Sequence, residues 1–198
     1  LGAPSWLEDD FLQTLMTAFE NAGFQIYAVG GCVRDTVLGR HVRDVDLSTN
    51  AHPDDTTRII ENLSFQGKPW KAVPTGIEHG TVTAVSPSQA YEITTFRKDV
   101  ETDGRRAVVA FSREIADDAR RRDFTMNALY ATPQGRVVDP LGGLPDLLAR
   151  RVRFIEDPSA RIQEDYLRIL RYFRFSACYA DPEGGHDPDT LASISANL

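Results

Sequence analysis

Gly30-Gly31-Cys32-Val33-Arg34-Asp35, followed by Asp44-Val45-Asp46-Leu47, sets a paired glycine turn and an arginine just ahead of two carboxylates. Residues two apart on a strand point to one face, so Asp44 and Asp46 are spaced to grip a hard divalent cation. Glycines let the backbone approach a triphosphate, and N–H groups opening the next helix, with Arg34, are placed to hold it. Metal beside a phosphate cradle is the equipment of nucleotidyl transfer, where metals bridge the attacking oxygen, the α-phosphate and the leaving pyrophosphate. Tyr91-Glu92-Ile93-Thr94 alternates, so Glu92 is a candidate third carboxylate from a neighbouring strand. A strand bearing two solvated acids gives the same D-x-D, and the glycine pair with its arginine upstream is what lends this one its meaning.

Two later segments carry further candidates. Arg120-Arg121-Arg122-Asp123-Phe124-Thr125-Met126-Asn127 offers an Arg-Asp pair able to contact a ribose 2′-OH, which both donates and accepts. The same residues also suit a helix C-terminus favoured by its dipole, with Asp123 as a cap. Glu164-Asp165-Tyr166-Leu167-Arg168-Ile169-Leu170-Arg171 reads as part of one long helix with Asp165 and Arg168 as i, i+3 neighbours and Arg171 on the same face. An acceptor beside a donor fits the Watson–Crick edges of cytosine and adenine and opposes those of uracil and guanine. An ordinary i, i+3 salt bridge is the plainer reading of that pair.

Other features read as structural. Asp139-Pro140-Leu141-Gly142-Gly143 is a turn joining two parts of the molecule, and Cys32 is a small turn residue rather than a nucleophile. The four histidines, His41, His52, His79 and His186, show no ligand spacing. Tyr172, Phe173 and Phe175 read as core.

The elements that must position these groups follow from periodicity and punctuation. Ser5 is placed to cap a helix with Leu12, Leu15, Met16 and Phe19 inward; Ile26–Val29 is a buried strand running into the glycines, and Arg34–Leu38 a short helix. Val45–Thr49 is a strand, and Pro53 opens a helix to about Leu63. Three β-rich stretches follow, around residues 70–74, 81–85 and 91–97, then a loop or loose hairpin at 98–113 with Asp103-Gly104 at its turn. Helices are expected near 113–121, 145–150 and, as one continuous amphipathic run, 158–179, with a last one starting at Asp189.

Composition sets the class. At 198 residues the chain suffices for one sizeable core, or one domain and the start of another. No run approaches a membrane span, the N-terminus is unlike a signal peptide, and two cysteines cannot build a disulfide framework, so a cytoplasmic setting is expected. The net charge of −7 hides an asymmetry: residues 97–174 hold 16 of the 22 Lys/Arg but only 13 of the 29 Asp/Glu. Nineteen of the basic residues are arginine, the type suited to bidentate phosphate and base contacts.

The motifs at 30–35, 44–47, 122–129, 139–143 and 164–171, in this order, resemble those of the class II tRNA nucleotidyltransferases (CCA-adding enzymes) and the closely similar bacterial poly(A) polymerases. The resemblance covers about Gln25 to Ala177. It implies an α+β, polymerase-β-like nucleotidyltransferase head with a mixed sheet over residues 1–139, then the start of a helical neck over 140–198, with the family's body and tail absent. It implies Mg²⁺ on Asp44 and Asp46, triphosphate contacts from Gly31 and Arg34, and a ribose contact from Arg122 and Asp123. Asp165 and Arg168 would be the base template selecting CTP and then ATP, Arg171 a further nucleotide contact, and 98–113 the flexible loop of the C-to-A switch. The implied partners are the tRNA 3′ end, CTP and ATP, with no membrane and no protein partner. Poly(A) addition, A-only or C-only addition, and a non-catalytic RNA-binding fragment are the alternatives.

Overall fold

The computed structural model describes residues 1–198 except 3, 87, 104 and 105, and the side chains of all of these but 77 and 99–109. The first helix, α1 (Asp10–Asn21), starts one turn later than the sequence predicts, because the carboxylate of Asp9, not Ser5, accepts the Leu12 N–H at 3.0 Å. Its inward stripe is as expected: Leu12, Leu15, Met16 and Phe19 are fully buried, each contributing about 1.5–3 kcal/mol by leaving water.

Then follow β1 (Ile26–Val29), α2 (Gly31–Val37), β2 (Asp46–Thr49) and α3 (Pro53–Glu61), with Pro53 at its first turn. The small hairpin β3 (Ser64–Phe65) and β4 (Lys68–Pro69) precedes β5 (Lys71–Gly76), β6 (Thr81–Val85) and β7 (Ala90–Thr95). The expected loop or loose hairpin at 98–113 is a two-stranded ladder, β8 (Arg97–Asp103) with β9 (Arg106–Phe111). Gly104, half of its turn signal, lies outside the described residues.

The chain continues through α4 (Ile115–Arg120), a 3₁₀ turn at Thr125–Asn127, β10 (Tyr130–Ala131), β11 (Val137–Val138) and α5 (Leu144–Leu148). Phe154 joins Phe124 through a single antiparallel bridge. The long helix expected from Pro158 to Tyr179 is two, α6 (Pro158–Glu164) and α7 (Leu167–Tyr179), broken where Asp165 turns extended at φ −157° and ψ 105°. Last comes α8 (Pro188–Ala196).

Among the described residues, seven strands make one mixed sheet in the order β11-β10-β1-β2-β7-β6-β5, with β2 and β7 parallel. The other ladders in that sheet are antiparallel. The parallel pair sets Leu47 opposite Ile93, which brings Asp46 level with Glu92. On the other side of β2, Asp46 pairs with Val29, the residue before the glycine turn. Asp46 is thus fixed by sheet register between the turn and Glu92.

Aromatic rings join the C-terminal helices to the sheet. Phe124 lies 4.9 Å from Phe154 and 5.0 Å from Phe175 between centroids, and Phe154 stacks on Tyr172 at 5.7 Å. Such pairs add about 0.5–1.5 kcal/mol each beyond area burial. This cluster holds α7 beside the 3₁₀ turn, so side chains of both line one cavity.

Candidate active site

Gly30 adopts φ +72° and ψ −116°, a conformation that L side chains rarely adopt. A Cβ on Gly30 would stand 3.5 Å from Nη1 of Arg122, and one on Gly31 3.8 Å from Nη2 of Arg34. Two guanidinium groups therefore lie against the bare backbone of the glycine pair. This is a cradle for anionic oxygen.

The two guanidinia are held differently. Arg122 donates to the hydroxyl of Tyr130 at 3.2 Å and to the buried carboxylate of Asp118 at 3.1 Å, while Tyr130 also donates to Asp118 at 2.8 Å. Burial works against its charge, but Tyr130 and Asp118 outweigh that and raise its pKa. Arg34 makes a fork to Asp35 at 2.9 and 3.0 Å and donates to Asn127 Oδ1 at 2.7 Å and to the Tyr179 hydroxyl at 2.6 Å. Much of its donor capacity is spent inside the protein.

Asp46 opens β2, but Asp44 lies in the segment before the strand, so the simple period-two picture of both on one strand does not hold. The two still converge with Glu92. Burial, then the charges of Glu92 and Asp44, push the Asp46 carboxyl up, with Arg122 pulling the other way. Like-charged oxygens crowded together are a donor set for a hard divalent cation, and the residues present fit one. Among the described residues no three His, Cys, Asp or Glu side chains form a closed ligand cluster. An ion held by one or two carboxylates and completed by substrate oxygens needs no such cage.

Asp123, which the sequence offers as a ribose contact or a helix cap, does not cap α4, whose C-cap is Arg121. Its buried carboxylate accepts the Phe124 N–H at 2.8 Å, Asn127 Nδ2 at 2.9 Å and Arg171 Nε at 2.7 Å. Asp165 and Arg168 are not a salt bridge. Asp165 stands at the break between α6 and α7, its carboxylate accepting the Leu167 N–H at 3.0 Å. Arg168 donates to Glu164 at 2.6 Å and to the Arg161 carbonyl at 2.9 Å. Glu164 also binds Arg161.

A cavity of about 450 Å³ collects Gly31, Arg34, Asp46, Arg122, Asp123, Asp165, Arg168 and Arg171. A neighbouring cavity of about 700 Å³ is lined by Asp44, Asp46 and Glu92 with Trp6 and Arg43. Asp46 is common to both. Sequence reasoning overlooked Asn127, Glu164 and Tyr179 as site-shaping groups; the first two sat inside quoted motifs, whereas Tyr179 carried no signal. Cys32 is buried, its thiol pushed up to about 12 by burial and then by Asp46, which keeps it neutral.

Residues 26–153 match the family model of the poly A polymerase head domain. The chain belongs to the class II tRNA nucleotidyltransferase and bacterial poly(A) polymerase family. Within it, the zebrafish (Danio rerio) protein "CCA tRNA nucleotidyltransferase 1, mitochondrial" is 41% identical over 188 residues, covering 95% of this chain and 43% of the relative. The CCA-adding enzyme of Leuconostoc citreum is 40% identical, covering 98% of this chain and 47% of the relative. The crystal structure of the Bacillus stearothermophilus CCA-adding enzyme in complex with CTP superposes with a TM-score of 0.79 at 35% identity, covering 93% of this chain and 42% of that one. The mixed sheet with its helices is therefore the family's nucleotidyltransferase head fold. The chain spans less than half the length of the curated relatives it matches. No helix among the described residues is long and apolar enough to cross a membrane.

Proposed function

We propose that the chain carries the catalytic part of a CCA-adding tRNA nucleotidyltransferase, transferring CMP and AMP from CTP and ATP to the tRNA 3′ end. The single observation that carries this is Asp46, shared between a cavity lined by arginines and one lined by carboxylates. In an in-line displacement the attacking 3′-hydroxyl and the leaving pyrophosphate lie on opposite sides of the α-phosphorus. The cavity pair would supply those two sides. The new bond joins the RNA 3′-oxygen to phosphorus, the α–β phosphoanhydride breaks, and the hydroxyl proton is lost on the carboxylate side. Names given to the relatives above, all three CCA enzymes and one of them in complex with CTP, support the same reading.

Asp44 and Asp46 would hold Mg²⁺, with Glu92 beside them; when bound, the ion would polarise the phosphate and favour the attacking alkoxide. The glycine pair, Arg122 and the remaining donor capacity of Arg34 would face the phosphates. Asp123 with Arg122 would meet the ribose, Asp165 and Arg168 the base edge, and Arg171 would add a further contact. Residues 1–139 are assigned to the head and 140–198 to the neck; every strand of the large sheet ends by Val138, and the helices from α5 onward follow Gly143. Cytoplasm belongs to the same proposal.

Purified protein, tRNA ending at the discriminator base and each labelled nucleotide in turn test it. Ordered C and A incorporation is expected. No incorporation, or equal use of all four, overturns it; long A tails without C point to a poly(A) polymerase, and RNA binding with a steep salt slope but no incorporation to a binding fragment.

A further inference from the structure

Arg34 has five N–H donors, and four are engaged: Nε–H and one Nη2–H on Asp35, one Nη1–H on Asn127, and the second Nη2–H on Tyr179. One Nη1–H is left. The three partners differ in kind. Asp35 is the next residue and Asn127 belongs to the 3₁₀ turn, so both come from the sheet side of the molecule. Tyr179 is the last residue of α7, the helix that carries Arg168 and Arg171. It meets the guanidinium twice, through its hydroxyl at 2.6 Å and through its ring, whose centroid is 4.1 Å from Cζ. Arg40 Cζ stands 4.7 Å from the same ring, while Arg40 donates to the Cys178 carbonyl at 2.7 Å. Two cations drawn to one ring fix its place at the end of α7.

We propose that Tyr179 is a positioning residue for Arg34, holding the guanidinium against Gly31 with the free Nη1–H available to the triphosphate and coupling phosphate binding to the base-facing helix. The inference rests on the cavity's being the nucleotide site. Burial keeps the arrangement strong: Arg34 is 7% exposed, so its ring and hydroxyl contacts act in a low-dielectric setting. Loss of the ring leaves Asp35 and Asn127 on one side and, on the α7 side, the more distant ring of Phe175, 5.3 Å from Cζ. Loss of the hydroxyl alone keeps the stacking and returns one Nη2–H to solvent or ligand.

The test is calorimetric titration of the whole chain with CTP and, separately, with cytidine. Tyr179→Leu is expected to weaken CTP about 3- to 10-fold and to leave cytidine within about twofold, because Arg34 addresses phosphate and not base or sugar. Tyr179→Phe is expected to bind CTP at least as tightly as wild type. In an Arg34→Ala background the Leu change should have no further effect on CTP, the mark of a coupled pair. Arg34→Lys replaces Arg34→Ala in the cycle if the alanine variant fails to fold. Equal weakening of CTP and cytidine, or additivity with the Arg34 change, overturns the proposal. Wild-type protein that binds cytidine and CTP alike, or neither, overturns the nucleotide-site reading itself.

Discussion

Glu164, not Asp165, is the carboxylate that Arg168 meets: Arg168 Nη1 donates to Glu164 Oε2 at 2.6 Å across one helical break. The consequence is a division of labour between adjacent acids. Glu164 anchors the guanidinium, which leaves the Asp165 side chain as a weakly committed acceptor at the cavity edge. A base-reading donor is useful only while its direction is fixed, since discrimination comes from unpaired groups facing the wrong base. Glu164→Ala should therefore lower the preference for CTP over UTP by about tenfold, equivalent to ~1.4 kcal/mol, with a smaller effect on CTP turnover. Ratios of kcat/KM for the two nucleotides check it; an unchanged ratio would detach Glu164 from base selection.

Asp46→Asn and Asp44→Ala separate chemistry from folding. Both side chains line the carboxylate cavity, and Asp46 is crowded by Glu92 and Asp44. Removing an acid from such a group relieves repulsion, so neither variant should melt below wild type in metal-free buffer. Transfer should fall by at least ~10³-fold in each, the scale of losing a group that acts on the reacting centre. Retained transfer in Asp44→Ala would exclude it from the metal site.

Most of what defines this site was legible because it is local. A glycine pair between a strand and a helix reveals a turn without tertiary knowledge, and the D-x-D marks the strand start at Asp46, although Asp44 falls before that strand. Where reading failed, long-range geometry decided. The break at Asp165 has no glycine or proline to announce it, and Asp165 instead satisfies the Leu167 N–H with its own side chain. Asp9 displaced Ser5 as the α1 cap while also receiving the hydroxyl of Tyr91 at 2.9 Å, a partner 82 positions away. The link from Arg34 to Tyr179 spans 145 positions and is invisible to any window along the chain.

Gly143 illustrates a steric requirement of a kind that the turn reading anticipated only in outline. Asp139 accepts the Gly143 N–H at 2.8 Å and the Leu144 N–H at 2.9 Å, pinning the turn. A Cβ on Gly143 would fall 2.2 Å from the Thr125 carbonyl oxygen, so the backbones must part to admit one. Gly142, at φ +71°, has open space around its own Cβ position. Gly143→Ala should cost more than ~3 kcal/mol and Gly142→Ala about 1 kcal/mol, the latter from conformation alone. Urea unfolding of the two variants gives the order; a reversed order would contradict the contact.

The two cysteines should separate cleanly by reactivity. The thiolate is the nucleophile, and burial with Asp46 nearby holds Cys32 up to about 12, whereas Cys178 is exposed. At pH 8 a disulfide-exchange reagent should titrate one thiol in the native chain and two after denaturation. Rapid native reaction at Cys32 would mean that the core beneath the glycine turn opens readily.

Asp187 links the last helix to pH. Its carboxylate accepts the Thr190 N–H at 2.9 Å and the Thr190 hydroxyl at 2.7 Å, and these bonds, with Arg153 nearby, lower its pKa below the ordinary aspartate value. A carboxyl with a lowered folded pKa stabilises above its unfolded value and loses that contribution as pH falls through the folded one. Asp187→Ala should therefore destabilise α8 by about 0.5–1 kcal/mol at pH 7, as expected for an exposed N-cap. The gap should close as the pH falls through the lowered folded pKa, where wild type becomes protonated as well. Hydrogen exchange of the α8 amides, relative to α3, reads the local loss; an undiminished gap at low pH would assign the effect to side-chain packing instead of the charged cap.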